Sequence, residues 1–213
     1  DGYTLLLATA ANAINATMLN LSFDFIGDIA PIAGIVGVPL VMEVHPSIPA
    51  KTVTEFIAYA KAKPGKVNMA SAGIGSLTHM AGEMFKTMAG LDLFHVPYRG
   101  AQVFPALLTG EAQVYFGPLL SSIEYVRAGN FRALAVTTVA RSPILADVPT
   151  LGETLPGYEA SAWYGIGGPR RTPEEVIEIL NKEVNFSIAD PKLQARLANL
   201  GGTALGGSPA DFA

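Results

Sequence analysis

The chain has 213 residues, half of them hydrophobic and 15% charged, with a formal net charge of -4. That much apolar material can build a core in one large domain or two smaller ones. The lack of any Lys or Arg cluster excludes a nucleic-acid surface, which needs a basic stripe to neutralise phosphates. The absence of cysteine excludes disulfides, a thiolate nucleophile and cysteine-based metal centres.

Tyr3 to Ala8 is an apolar run of strand length, and Thr9-Ala10-Ala11-Asn12-Ala13 after it is a strand-to-helix loop. Ile29 to Val44 is apolar but interrupted by prolines, glycines and Glu43, so it is a poor bilayer span. Its part from Pro31 to Val44 reads as two strands. Beyond the proline-punctuated stretch from His45 to Pro49, Thr52-Val53-Thr54-Glu55 is a capping box for a helix bearing Phe56, Ile57 and Tyr59, which Pro64-Gly65 stops.

The most informative segment runs from Val67 to His79, as a short strand, a loop with Gly73 and Gly75, and a helix capped by Ser76. Free amides and the positive end of a helix would converge there on a carboxylate or phosphate. Met80, Met84, Phe85 and Met88 fall on one face of that helix and are expected in the core. The pattern continues with a strand to Val96, a helix around Val103 to Leu108, a strand near Gln113 to Phe116, a helix around Leu120 to Arg127 and the strand Ala133 to Thr137. Such alternation predicts an α/β protein with mainly parallel sheets. Ligands of such sheets bind at the carboxyl ends of strands.

Arg141 to Gly157 is a proline-rich surface traverse, and Trp163 to Ile166 returns to strand character. Thr172-Pro173-Glu174-Glu175 reads as a second capping box with proline at the first helical position, and Asp190-Pro191 starts another short helix. Composition breaks near 45 and 160 predict two lobes, the first made of residues 1-45 and 161-213 and the second of 46-160. Two crossings would make a hinge and a cleft. Asp1-Gly2, a turn pair leading straight into a strand, and Ser208-Pro209-Ala210-Asp211, a helix start, read as cut ends of an incomplete domain. No secretory signal opens the sequence.

Asp1-Gly2-Tyr3-Thr4-Leu5-Leu6, Phe23-Asp24 before Asp28-Ile29-Ala30-Pro31, Ala70 to Ser76 with Thr78-His79, and Val96-Pro97-Tyr98-Arg99-Gly100 together resemble the tripartite tricarboxylate transporter receptors, the Bug-type solute-binding proteins. Arg127-Ala128-Gly129 before Arg132 to Val136, Asp147-Val148-Pro149-Thr150 and Trp163-Tyr164-Gly165 extend the resemblance over essentially the whole chain. It implies a monomeric periplasmic receptor of the two-lobed type II binding-protein fold, with the N-terminal part of the first lobe missing here. Such a receptor closes on a small carboxylate, a di- or tricarboxylate or related acid, and delivers it to membrane transporter subunits. By position, Thr9, Ala10, Ala11 and Asn12 are implied as the first-lobe ligand loop. Ser71, Ala72, Gly75, Ser76, Thr78 and His79 are implied as the second-lobe cradle, with Tyr98, Arg99 and Gly100 closing one side. Family members that take amino acids can carry an acidic residue near Phe116-Gly117-Pro118; its absence disfavours an ammonium-bearing ligand.

Each signal has a plainer reading. The glycine loop lacks the third glycine of a dinucleotide fingerprint, and no cofactor is expected. Ser76 with His79 suggests a hydrolase, but the spacing is not that of a nucleophile elbow, so no enzyme activity is expected. His45 and His95 have no spaced carboxylate partner, so no metal centre is expected either. Arg99 is a carboxylate ligand or a loop organiser, and Trp163 walls the cleft or anchors a strand. An effector-sensing domain of a transcription regulator is a third class compatible with the fold.

Overall fold

The computed structural model describes residues 4–213; Asp1, Gly2 and Tyr3, read above as a turn pair and a strand start, lie outside them. In chain order the elements are β1 Leu6–Thr9, α1 Ala10–Met18, α2 Phe25–Asp28, β2 Ile29–Val44, α3 Val53–Lys61, β3 Asn68–Ser71, α4 Leu77–Ala89 and β4 Phe94–Pro97. They continue with α5 Val103–Leu108, β5 Val114–Pro118, α6 Leu119–Arg127, β6 Arg132–Val136, β7 Ser161–Pro169, α7 Glu174–Ile188, α8 Pro191–Asn199, β8 Thr203–Ala204 and α9 Pro209–Phe212. They form two compact units. Unit 1 comprises the chain up to Val38 together with Ala162–Ala213, and unit 2 comprises Pro39–Ser161.

The expected pair of strands between Pro31 and Val44 is one 16-residue strand, β2. Val36 and Gly37 pair with β8, whereas Leu40 onward pairs with β5. Pro39 falls where the pairing partner changes, so its missing N–H interrupts neither ladder. For the same reason the units divide at Val38/Pro39, ahead of the proline-punctuated stretch that the sequence suggested as the break.

In unit 1, β1 pairs antiparallel with β7 from Leu6–Gly167 to Thr9–Tyr164. Helix α8 begins as expected: the Asp190 carboxylate accepts from the amides of Lys192 (2.8 Å) and Leu193 (3.0 Å), with Pro191 at the first position. The expected cap of α7 is not made, because the Thr172 hydroxyl donates instead to the Pro169 carbonyl at 2.7 Å and Pro173 occupies the cap position.

In unit 2 the strand order is β4-β3-β5-β2, with β6 on β2. Strand β3 pairs in parallel with β4 and β5, and Val136 of β6 makes a parallel bridge to Thr150, while β2 runs antiparallel to both β5 and β6. The sheets are therefore mixed rather than mainly parallel, since β2 enters against the direction of the strands that follow helices. One layer is built on Phe56, Phe85 and Phe116, all fully buried, with ring centroids 6.1 and 5.3 Å apart. Across the sheet, Phe104 stacks on Tyr125 at 5.0 Å and packs with Tyr115 and Phe131.

Helix α4 buries Thr78, Ala81, Gly82, Phe85 and Ala89, not the expected methionine stripe; Met88 is 39% exposed. The reason is close approach. A Cβ on Gly82 would run into the Met69 side chain of β3, so the small-residue face of the helix faces the sheet and the methionines lie on its flank. Removing the Phe85 ring should destabilise the protein by about 3–5 kcal/mol. Urea denaturation of Phe85→Ala, read by circular dichroism, measures this loss.

Glu43 of β2 is fully buried, and neither carboxyl oxygen has a hydrogen-bond partner. It lies against Gly117, where a Cβ would come within 2.8 Å of its Oε1. The nearby Ser122 hydroxyl, which would favour the ionised form, is donated to the Pro118 carbonyl at 3.1 Å. Burial pushes the Glu43 carboxyl up from 4.5 to about 8. Below the unfolded value both states hold the proton; as pH rises towards 8, only the unfolded state gains by ionising, so stability falls. Thermal denaturation across this window should show that decline in the wild type, and Glu43→Gln should flatten it.

Candidate functional site

The loop between β3 and α4 is held by its own side chains. The Ser76 hydroxyl donates to the Gly73 carbonyl at 2.6 Å and accepts from the His79 amide at 3.2 Å. Thr78 Oγ1 accepts from the Ala72 amide at 2.9 Å and lies 3.0 Å from Ser76 Oγ. Gly73 (φ +130°) and Gly75 (φ +77°) supply backbone angles that side chains disfavour. The Gly73 amide donates to Ser71 Oγ at 3.2 Å and the Gly75 amide to His79 Nδ1 at 3.3 Å.

With those donors committed, the amides of Leu77 and Thr78, first in α4, have no protein partner among the described residues. They sit at the positive end of a 13-residue helix, where a carboxylate is favoured. The Ser71, Ser76 and Thr78 hydroxyls shape the loop, and the amides of Leu77 and Thr78 are the donors left without a partner. Ser71 and Thr78 are buried.

The segment after β4 lies alongside. The Tyr98 amide donates to the Ser71 carbonyl at 2.9 Å and the Gly100 amide to the Ala72 carbonyl at 3.4 Å. The Tyr98 hydroxyl donates to Glu111 Oε1 at 3.0 Å; burial and that carboxylate push its pKa up to about 12. Arg99 is exposed. Unit 2 thus gathers Ser71, Ala72, Gly75, Ser76, Thr78 and His79 beside Tyr98, Arg99 and Gly100.

Thr9, Ala10, Ala11, Asn12 and Trp163 belong to unit 1. Asn12 Oδ1 accepts from both the Thr9 amide (2.9 Å) and the Thr9 hydroxyl (3.0 Å), which fixes the start of α1. Trp163 packs edge-on against Phe212 at 5.6 Å and lines an apolar cavity of about 550 Å³ with Phe25, Ile29 and Phe212.

No bond joins Ser76 Oγ to the His79 ring among the described residues, so the pair lacks the nucleophile–base contact of a hydrolase. The sequence reading missed two features. His95 of β4 stacks on His79 with ring centroids 4.1 Å apart and reaches Ser71 Oγ through Nε2 at 2.7 Å. Glu83, one turn after His79, approaches His79 Nε2 at 3.8 Å. The His79–Glu83 spacing of four was a usable signal; the His95 position follows only from parallel pairing of β3 with β4.

The model of the tripartite tricarboxylate transporter family receptor matches residues 1–212. A protein from the tcbD-tcbE intergenic region of Pseudomonas sp. strain P51 is 33% identical over 98% of this chain and 63% of its own length. The chain spans less than two thirds of the length of this relative and of two Bordetella relatives, at 63%, 66% and 64%. The structure of R. palustris Rpa4515 with adipate is 34% identical with a TM-score of 0.92, covering 99% of this chain and 72% of that one. MatC from Rhodopseudomonas palustris with bound malate is 28% identical with a TM-score of 0.89, covering 95% of this chain and 70% of that one. No helix among the described residues is long and apolar enough to cross a membrane. In sequence and in its mixed α/β binding-protein fold, the chain belongs to the tripartite tricarboxylate transporter receptors, a family of substrate-binding receptors rather than enzymes.

Proposed function

We propose that this chain captures a small organic acid, a dicarboxylate or a related di- or tricarboxylate, in the periplasm and presents it to the membrane subunits of a tripartite transporter. The observation that carries the reading is the pair of unpartnered amides, Leu77 and Thr78, at the start of α4. The adipate and malate bound by two relatives support the ligand class. Binding is non-catalytic: the loop offers donors to an anion and no activated nucleophile.

The amides carry no net charge, so the carboxylate's desolvation is offset by several aimed hydrogen bonds and by the helix end. Isothermal titration of the chain against a panel including adipate and malate tests this directly. A flat response to every aliphatic and aromatic acid would overturn the reading. Leu77→Pro is a sharp probe, because proline is tolerated at the first helical position and Ser76 already has the extended backbone that a following proline requires (φ -74°, ψ 157°). It deletes one amide donor and leaves α4 in place, and should weaken binding about ten- to hundredfold, as expected for a charge-assisted bond of roughly 1.5–3 kcal/mol. Ser76→Ala combined with Thr78→Ala should weaken it at least tenfold by letting the loop relax, since the two hydroxyls make four bonds within it.

A further inference from the structure

We infer that His79, Glu83 and His95 form a binding site for a divalent transition-metal ion of the zinc class at the edge of unit 2. One ligand atom from each of the three residues lies within 4.8 Å of those of the other two. The donor set, two imidazoles and a carboxylate, suits such an ion and leaves coordination positions for water or an added ligand. His79 and Glu83 are one turn apart on α4, and His95 comes from β4, so a helix and a strand fix the three independently.

The surroundings supply what imidazole ligands need. His95 Nε2 rests on Ser71 Oγ at 2.7 Å, an outer contact that orients the ring and leaves Nδ1 for the ion. Both rings are half-buried; burial holds their pKa values below the usual histidine range, with Lys86 adding to the effect and Glu83 opposing it.

Three adjustments accompany binding. Ligand atoms around a tetrahedral zinc are about 3.4 Å apart for bonds of about 2.0–2.1 Å, so the three side chains close by roughly 1 Å. The rings are within 22° of parallel, so one turns to bring both lone pairs to a common point. His79 Nδ1 now accepts from the Gly75 amide at 3.3 Å, which places the ring proton on Nε2, facing Glu83. An ion on Nε2 moves that proton to Nδ1 and frees the Gly75 amide. Lys86 is the resident competitor, with Nζ at 2.9 and 3.0 Å from the two Glu83 oxygens.

Zn²⁺ titration of the tag-free chain by calorimetry, with Co²⁺ absorption as a spectroscopic check, tests the assignment without any carboxylate present. The expected result is one equivalent of Zn²⁺ bound, with affinity falling at least about tenfold in His95→Ala and in Glu83→Gln. Lys86→Met should tighten binding by releasing Glu83, a change in the opposite direction that misfolding cannot mimic. His45→Ala, remote from the cluster, should leave affinity unchanged. Absence of binding, or affinity insensitive to both His95→Ala and Glu83→Gln in variants with native circular dichroism, overturns the proposal.

Discussion

The close approach of α4 to β3 is the constraint on which unit 2 depends. Gly82 against Met69 lets the helix axis come down onto the sheet, and Phe85 then locks it between Phe56 and Phe116. With the axis fixed by the core, the start of α4 is fixed too, only six residues after the end of β3. A bulkier face would lift the helix and carry its first amides away from the strand end. The packing of apolar residues therefore positions the polar donors.

On the proposed reading, the loop holds an anion with amides that its own hydroxyls have set in place. Ser71, Ser76 and Thr78 spend their hydroxyls on the backbone of residues 72 to 79, so the loop does not have to be ordered when a ligand arrives. Conformational entropy that a flexible loop would lose on binding is lost on folding instead. Arg99, the obvious charged candidate, is exposed on a neighbouring turn.

Much of this was legible in the sequence because it rests on local chemistry. The caps at Thr52, Ser76 and Asp190 are single-residue decisions, and each is made as the sequence indicates. What was not legible depends on partners distant in sequence. Two strands were expected where β2 is continuous, because tolerance of Pro39 depends on where β8 ends and β5 begins. Thr172 reads as a cap until the Pro169 carbonyl competes for its hydroxyl. The methionine stripe has the helical period of a core face, but which of two adjacent faces turns inward is decided by Met69 on another element. In the site, the glycines and Ser76 announce the tight turn and the capped start of α4, whereas the grouping of His79 with His95 needs the register of β3 against β4.

Glu43 and Gly117 share one buried volume, bounded also by the Tyr115 ring. In evolutionary terms Gly117 cannot drift separately from the residues that enclose it. Any side chain gained at 117 meets the Tyr115 ring first and the carboxyl at 43 next, while a shorter residue at 43 opens a void beside an unchanged ring. Three positions, 43, 115 and 117, therefore answer to one volume, and homologous chains should change the residue at 117 only together with the ring at 115.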